Sequence, residues 1–259
     1  MIPKIIHYCW LSDDPIPASL NRYMSTWKRI LPDYEFMKWD FNRFPRGKSK
    51  WVDQAFDNKK YAFAADYIRL YALYNYGGIY LDMDVEVLKS YDPFLCLSSM
   101  VCYEANGTTI EAATIGSEKG SEWVKKCLDY YQDRDFVTEK GVLSMKPIPQ
   151  IMRDILNQNY KLSSVGNIED ALSLTQEIPV FSSDFFSPKS YSSGKVKTTK
   201  NTYSIHQFSG TWLPWYVGME KKYVSFCISV IMISLTESSL QKLFGNKSIL
   251  CCFIGLYFC

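Results

Sequence analysis

Apolar residues along this chain alternate between strand-like and helix-like spacing, and the changes of spacing mark its elements. Residues 3–10, PKIIHYCW, form a short β-branched and aromatic run that predicts a buried strand ending at Trp10, where Ser12-Asp13-Asp14-Pro15 begins a loop. From Pro17 to Leu31 the apolar positions Leu20, Met24, Trp27 and Ile30/Leu31 recur at helical spacing, and Pro32-Asp33 stops the predicted helix. Tyr34 to Trp39 reads as a second strand, so the chain opens β-α-β, the unit that builds a parallel sheet with helices packed on it. Residues 43–60 are polar and basic. A helix then runs from Tyr61 through AFAADYIRLYALYNY to Gly77, which is placed as a left-handed cap, and a strand from Ile79 to Val87 follows directly.

Further on, an apolar stretch covers Met100 to Tyr103, and helices are predicted for Ser121 to Tyr131 and Ile148 to Leu156. The Ser/Lys-rich segment Ser187 to Lys200 predicts a mobile loop, either a plain surface loop or a lid carrying Lys189, Lys195, Lys197 and Lys200. After Lys222 come two uncharged apolar runs, Tyr223 to Thr236 and Ser248 to Cys259. Each falls short of the roughly 20 residues that span a bilayer. They are expected to be buried helices, a membrane-surface contact or an atypical terminus that packs poorly, and the organisation expected is one domain over 1–215 with an atypical apolar tail over 216–259.

Composition narrows the function. With 259 residues, 47% of them hydrophobic and 16% aromatic, the chain can bury a substantial core. Its 29 basic residues against 27 acidic ones are too balanced for a nucleic-acid binder that coats phosphates, so no nucleic-acid partner is expected. The eight cysteines show no CxxC pair and no zinc spacing, which fits a reduced compartment. The N-terminus lacks the long apolar core of a secretory signal. A cytoplasmic protein is expected, at the inner face of the membrane if the tail makes contact there.

The chemistry gathers in YNYGGIYLDMDVEV, residues 74–87. Read as one strand, it sets Tyr80, Asp82, Asp84 and Glu86 on one face and Ile79, Leu81, Met83 and Val85 on the other. Acids this close repel and raise one another's pKa. Such a face is either a solvated edge or a site for a hard divalent cation with oxygen ligands, Mn²⁺ or Mg²⁺. Asp66 and Arg69, three residues apart on one helix face, either pair with each other at the surface or serve a ligand.

The string AADYIRLYALYNYGGIYLDMDVEV resembles the Asp-x-Asp sugar-binding region of glycosyltransferase family 32, the mannosyltransferase-like group that includes bacterial capsule and polysaccharide enzymes. More remotely it is similar to the catalytic domains of the large clostridial glucosylating toxins. IPKIIHYCW at the N-terminus resembles the family's first strand, and YSIHQFSGTW, 203–212, resembles its closing motif. The resemblance implies an α/β GT-A fold, Rossmann-like, with ligands at the C-terminal ends of the strands. It implies Asp82 facing sugar and ribose, Asp84 ligating the metal with Asp82, His206 as a metal or phosphate contact, and Asp66 and Arg69 holding the donor sugar and its hydroxyls or phosphate. Tyr80 would lie near the diphosphate, Trp10 would stack on the base, and Ser209 and Trp212 would close over the diphosphate. At 110–120, IEAATIGSEKG, Ala112 or Ala113 stands where relatives often carry Asn, and Glu111 is the expected substitute in the sugar pocket. Around SMKPIP, 144–149, only a Pro matches the family's usual Thr-Gly-Pro.

The implied function is a metal-dependent retaining glycosyltransferase that moves a sugar from a UDP- or GDP-sugar to a glycan or lipid-linked acceptor in surface-polysaccharide assembly. Two alternatives remain at this level: a nucleotide-sugar-binding protein without transfer activity, and a sugar nucleotidyltransferase.

Overall fold

Pairing of the first two strands fixes the direction of the whole sheet. A computed structural model describes residues 1–210, and of these Met1–Ser209 form one compact unit. The expected opening is present as β1 (Ile5–Cys9), α1 (Ala18–Ile30) and β2 (Glu35–Trp39), with β1 and β2 parallel. The polar stretch that follows contains an unexpected helix, α2 (Lys50–Asp57), started by the Ser49 side chain, which accepts from the Val52 N–H. Next is α3 (Tyr61–Tyr76), which buries residues on every side and is packed by α2 and by a later helix, Glu122–Asp129, as well as by the sheet.

Gly77 ends α3 with φ of 67°, but its ψ of −170° is extended. It is therefore a hinge into the sheet and not the left-handed helical cap expected. Space also demands glycine there, since a Cβ would lie 2.6 Å from the Lys119 nitrogen. At Gly78, with φ of 104°, a Cβ would lie 2.7 Å from the Ile5 carbonyl oxygen.

β3 (Gly78–Leu81) is where the expected long strand breaks. Asp82 to Asp84 form a turn closed by the Val85 N–H donating to the Asp82 carbonyl at 3.0 Å, and Val85–Val87 is a separate strand, β4. The remaining elements are β5 (Ser99–Cys102), β6 (Thr114–Ser117), α4 (Glu122–Asp129), α5 (Ile148–Asn159), β7 (Leu162–Val165), α6 (Ile168–Ser173), β8 (Ile178–Phe181) and β9 (Ser204–His206). The Ser187–Lys200 segment contains no helix or strand, only an isolated bridge between Lys189 and Val196.

The main sheet has the order β2-β1-β3-β6-β5-β8-β7, and β4 pairs with β9 in a two-stranded antiparallel sheet. All of its strands run parallel except β6, which is antiparallel to both β3 and β5. That one reversal matters for the site. The chain leaves β1, β3 and β5 at their C-terminal ends and enters β6 at the same edge, so Trp10, Asp82 and Glu111–Ala113 share one rim. This is the edge at which open α/β sheets bind ligands, and the α/β class expected from the sequence is the one found.

Two cores, one on each face, hold this edge still. On β3 the pleat sends Tyr80 into the core that contains α2, α3, α4 and α5, and sends Ile79 and Leu81 into the core that contains α1 and the Phe94, Phe181, Phe185 and Phe186 cluster. His7 of β1 is fully buried between the Gly77 carbonyl, 2.7 Å from its Nε2, and the Trp39 indole N–H, which donates to its Nδ1 at 3.1 Å. Burial pushes its pKa down to about 4, so it is a neutral core residue with its proton on Nε2. Among the described residues no helix is long and apolar enough to cross a membrane. The expected apolar tail and Trp212 lie outside the described residues.

Candidate functional site

The two aspartates converge because the backbone turns between them. Asp82 is fixed by its N–H donating to the Ala113 carbonyl at 2.8 Å, and β4 is held from α1 by the Trp27 indole N–H donating to the Val85 carbonyl at 2.7 Å. The Val87 N–H also donates to the Thr26 hydroxyl at 2.9 Å. Strand alternation, the expected cause of their shared face, is replaced by this turn, and Glu86 on β4 is left apart from the pair. Its carboxylate accepts from the Gln207 side chain at 2.9 Å.

β9 brings the third group. Val85 pairs with His206 across the small sheet, which carries the imidazole to the turn. Asp82, Asp84 and His206 each offer a ligand atom, and these atoms lie within 4.8 Å of one another. The Ser209 N–H donates to Asp84 Oδ2 at 2.7 Å and the Gln207 N–H to the Asp84 carbonyl at 3.1 Å, so the closing motif grips Asp84 through its backbone. Lys189 in turn donates to the Gln207 carbonyl at 2.7 Å and to its side-chain oxygen at 3.0 Å. Of the three candidate ligands Asp82 is the most open, its side chain 30% exposed against 14% for Asp84 and for His206, so the cluster faces solvent at Asp82.

Arg69 forms the floor. Its Nη2 lies 3.2 Å from Asp66 and 3.1 Å from Asp82, its Nη1 donates to the Ala112 carbonyl, and its guanidinium sits 4.5 Å from the Tyr80 ring centroid. The expected surface ion pair is thus a buried three-charge chain, with Asp66 and Arg69 both under 10% exposed. Burial pushes the Asp66 carboxyl up to about 7, with Arg69 opposing and Asp82 adding to the rise. Burial also raises Asp82, against the pull of Arg69. Tyr80 is 1% exposed, so it supports Arg69 from beneath and does not reach the surface where a diphosphate would lie.

Glu111 is the residue that sequence reasoning misplaced. At 1% exposed it cannot reach a sugar from solvent, and its carboxylate lies 3.3 Å from His206 Nδ1 and accepts the Ala113 N–H at 2.6 Å. Burial would push the His206 imidazole down, but the Glu111 carboxylate outweighs it and, with Asp84 and Asp82, lifts it to about 9. Reciprocally, burial would raise Glu111, and His206 holds it down at about 2. A buried acid flanking a motif of short apolar residues has no signature in sequence spacing. Trp10 follows β1 on the same rim, half-buried, with its indole N–H donating to the Asp14 carbonyl at 2.8 Å.

The cluster has the chemistry of a hard-cation site. Two carboxylates supply anionic oxygens and one imidazole supplies nitrogen, and among the described residues these three are the group that could hold a metal ion.

Residues 17–100 match the family described as "Glycosyltransferase sugar-binding region containing DXD motif". Inositol phosphoceramide mannosyltransferase 3 of Schizosaccharomyces pombe is 36% identical over 98 residues, 36% of this chain and 27% of the relative. Mannosyl phosphorylinositol ceramide synthase SUR1 of Saccharomyces cerevisiae is 31% identical over 105 residues, 39% of this chain and 27% of the relative. The chain therefore spans about a quarter of the length of these curated relatives. Among solved structures, PaToxG Glycosyltransferase superposes with a TM-score of 0.46 at 21% identity, covering 61% of this chain and 68% of that one.

Proposed function

We propose that the protein, whose residues 17–100 match the glycosyltransferase sugar-binding region containing a DXD motif, is a metal-dependent retaining glycosyltransferase of GT-A type, taking a nucleotide-sugar as donor, with Asp82 and Asp84 as that motif. The observation that carries this reading is the convergence of Asp82, Asp84 and His206 at the ligand-binding edge of the sheet. In it these three residues hold Mn²⁺ or Mg²⁺. When bound, the ion supplies Lewis-acid stabilisation of the charge that grows on the leaving diphosphate.

The chain's own groups do the rest. Arg69, locked between Asp66 and Asp82, fixes the carboxylate of Asp82 that faces the donor, so that sugar hydroxyls meet a preorganised acceptor. Trp10 offers a ring on the same rim for the base, and Ser209 closes on Asp84 through its N–H. The acceptor is a glycan or a lipid-linked glycan. The curated relatives are named for inositol phosphoceramide, which favours the lipid-linked half of that class, while a surface-polysaccharide product belongs to the same proposal. The four described cysteines, all unpaired, are in keeping with a cytoplasmic site of action.

A thermal-shift screen of UDP- and GDP-sugars, GDP-mannose included, with and without Mn²⁺, followed by assay of released nucleoside diphosphate, tests this. A donor that stabilises only with Mn²⁺ and is then turned over is the expected result. Full activity in Asp84→Ala would sink the metal role. Binding of nucleoside diphosphate with no turnover would favour a binding protein, and release of pyrophosphate a nucleotidyltransferase.

A further inference from the structure

We propose that Glu111 is the positioning residue of the metal centre: it holds the His206 ring in the one tautomer and orientation that aim Nε2 at the aspartate pair. The proposal rests on the divalent-ion site of the preceding reading and adds to it a residue outside the family-matched stretch of 17–100.

The two ring nitrogens of His206 face different partners. Nδ1 lies 3.3 and 3.4 Å from the two Glu111 carboxylate oxygens, and Nε2 lies 3.6 Å from Asp84 Oδ1. A carboxylate beside Nδ1 is an acceptor, so Nδ1 carries the hydrogen and the neutral ring's lone pair sits on Nε2, toward the candidate ion. Metal-bound histidines are commonly held in this way by an outer carboxylate.

Glu111 is itself immobilised. It is 1% exposed, it accepts the Ala113 N–H at 2.6 Å, and it sits where the chain enters the reversed strand β6, which is paired on both sides. The next turn of the chain closes the other face of the ring, with the Phe208 and His206 ring centroids 3.9 Å apart. A buried carboxylate is costly unless its oxygens are matched, and here the matching groups are a backbone N–H and the ring it orients. Asp82, Asp84 and His206 group as ligands without Glu111, which places it one step behind the ion.

The test is Mn²⁺ titration of the full chain by calorimetry, with Glu111→Ala, Glu111→Gln, Glu111→Asp, His206→Ala and the double variant Glu111→Ala/His206→Ala. Glu111→Ala is expected to weaken Mn²⁺ binding about 10- to 100-fold. Glu111→Gln, whose amide oxygen still accepts from Nδ1–H, should stay closer to wild type than Glu111→Asp, which keeps the charge but withdraws it from the ring. In the His206→Ala background the alanine change at 111 should cost nothing further, because its effect passes through the ring. Wild-type affinity in Glu111→Ala, an equal loss with and without His206, or Asp outperforming Gln would each overturn the proposal, as would a wild type that binds no Mn²⁺. Should the alanine variant fail to fold, the order of Gln and Asp decides alone. These readouts need no turnover: a chain that binds Mn²⁺ as described yet transfers no sugar removes the transferase reading and leaves this one standing.

Discussion

Replacing Arg69 by methionine keeps much of the stem's volume and removes the charge. Arg69 is 4% exposed, and its guanidinium lies 3.2 Å from Asp66 and 3.1 Å from Asp82. Removing one partner of a buried ion pair costs roughly 3–5 kcal/mol, because the charge left behind has no counter-ion. The lost contact with the Tyr80 ring and the lost donor to the Ala112 carbonyl act in the same direction, but they share atoms with the ion pairs and do not add fully. Urea denaturation at pH 7.5 should therefore show a loss of about 4 kcal/mol.

The pH dependence separates this cause from simple packing. Asp66 in the native protein has its pKa raised from 3.8 to about 7, and Asp82 is raised as well. An acid raised in the folded state opposes folding as pH climbs past its unfolded value, and the penalty vanishes when it is protonated. Arg69 holds both acids down, so without it both rise further, and Asp66, already at about 7 with Arg69 present, is neutral at pH 5.5. The loss should shrink by roughly half there, and adding Asp66→Asn should restore part of the stability at pH 7.5. A loss below about 1 kcal/mol, or one equal at both pH values, would refute the charge argument.

Two further predictions concern the ring and the hinge. His206 is lifted from 6.5 to about 9, against burial, by Glu111, Asp84 and Asp82, so in chelator its charged form stabilises the fold fully below pH 6.5 and the benefit is lost as pH rises to 9. Wild type should exceed His206→Asn by on the order of 3 kcal/mol at pH 6 and by little at pH 9.5, and a gap that does not change with pH would be inconsistent with this. Gly78→Ala forces a side chain onto a backbone with φ of 104° and places its Cβ 2.7 Å from the Ile5 carbonyl oxygen. Strain of that kind costs about 1–3 kcal/mol before the clash is counted, so an unchanged melting temperature would contradict the backbone geometry at Gly78, the residue after the hinge.

The amphipathic and β-branched segments were legible because their signals are local. β1, α1, β2 and α3 fall within a residue or two of expectation, and the DXD pair with its preceding Asp66 and Arg69 could be picked out from one continuous string. What was lost lay in short or non-local features. β4 and β9 are three residues each, too short for any period, and the break at Asp82 depends on the Ala113 carbonyl, thirty-one positions along the chain, accepting its N–H. β6 reads TIGS and is buried by neighbours on both sides, not by its own hydrophobicity. Helix α2 did carry a signal, Ser49 ahead of Trp51, Val52 and Ala55, which the surrounding lysines obscured. Glu111 carried none, since a buried acid is recognised only by what it touches.

The pairing of β4 with β9 also sets a clock on the centre. Asp84 and Ser209 are 125 residues apart, and closing a loop of that size costs roughly 4 kcal/mol of chain entropy by the logarithmic rule. At ribosomal speeds of about 5–20 residues per second, His206 is made roughly 6–25 s after Asp82. A nascent chain therefore carries the two acids for that interval without the imidazole that completes the set. The stretch that matches the family model, residues 17–100, holds Asp82 and Asp84 alone, so transplanting it into another scaffold would leave behind His206 and the Glu111 that faces it.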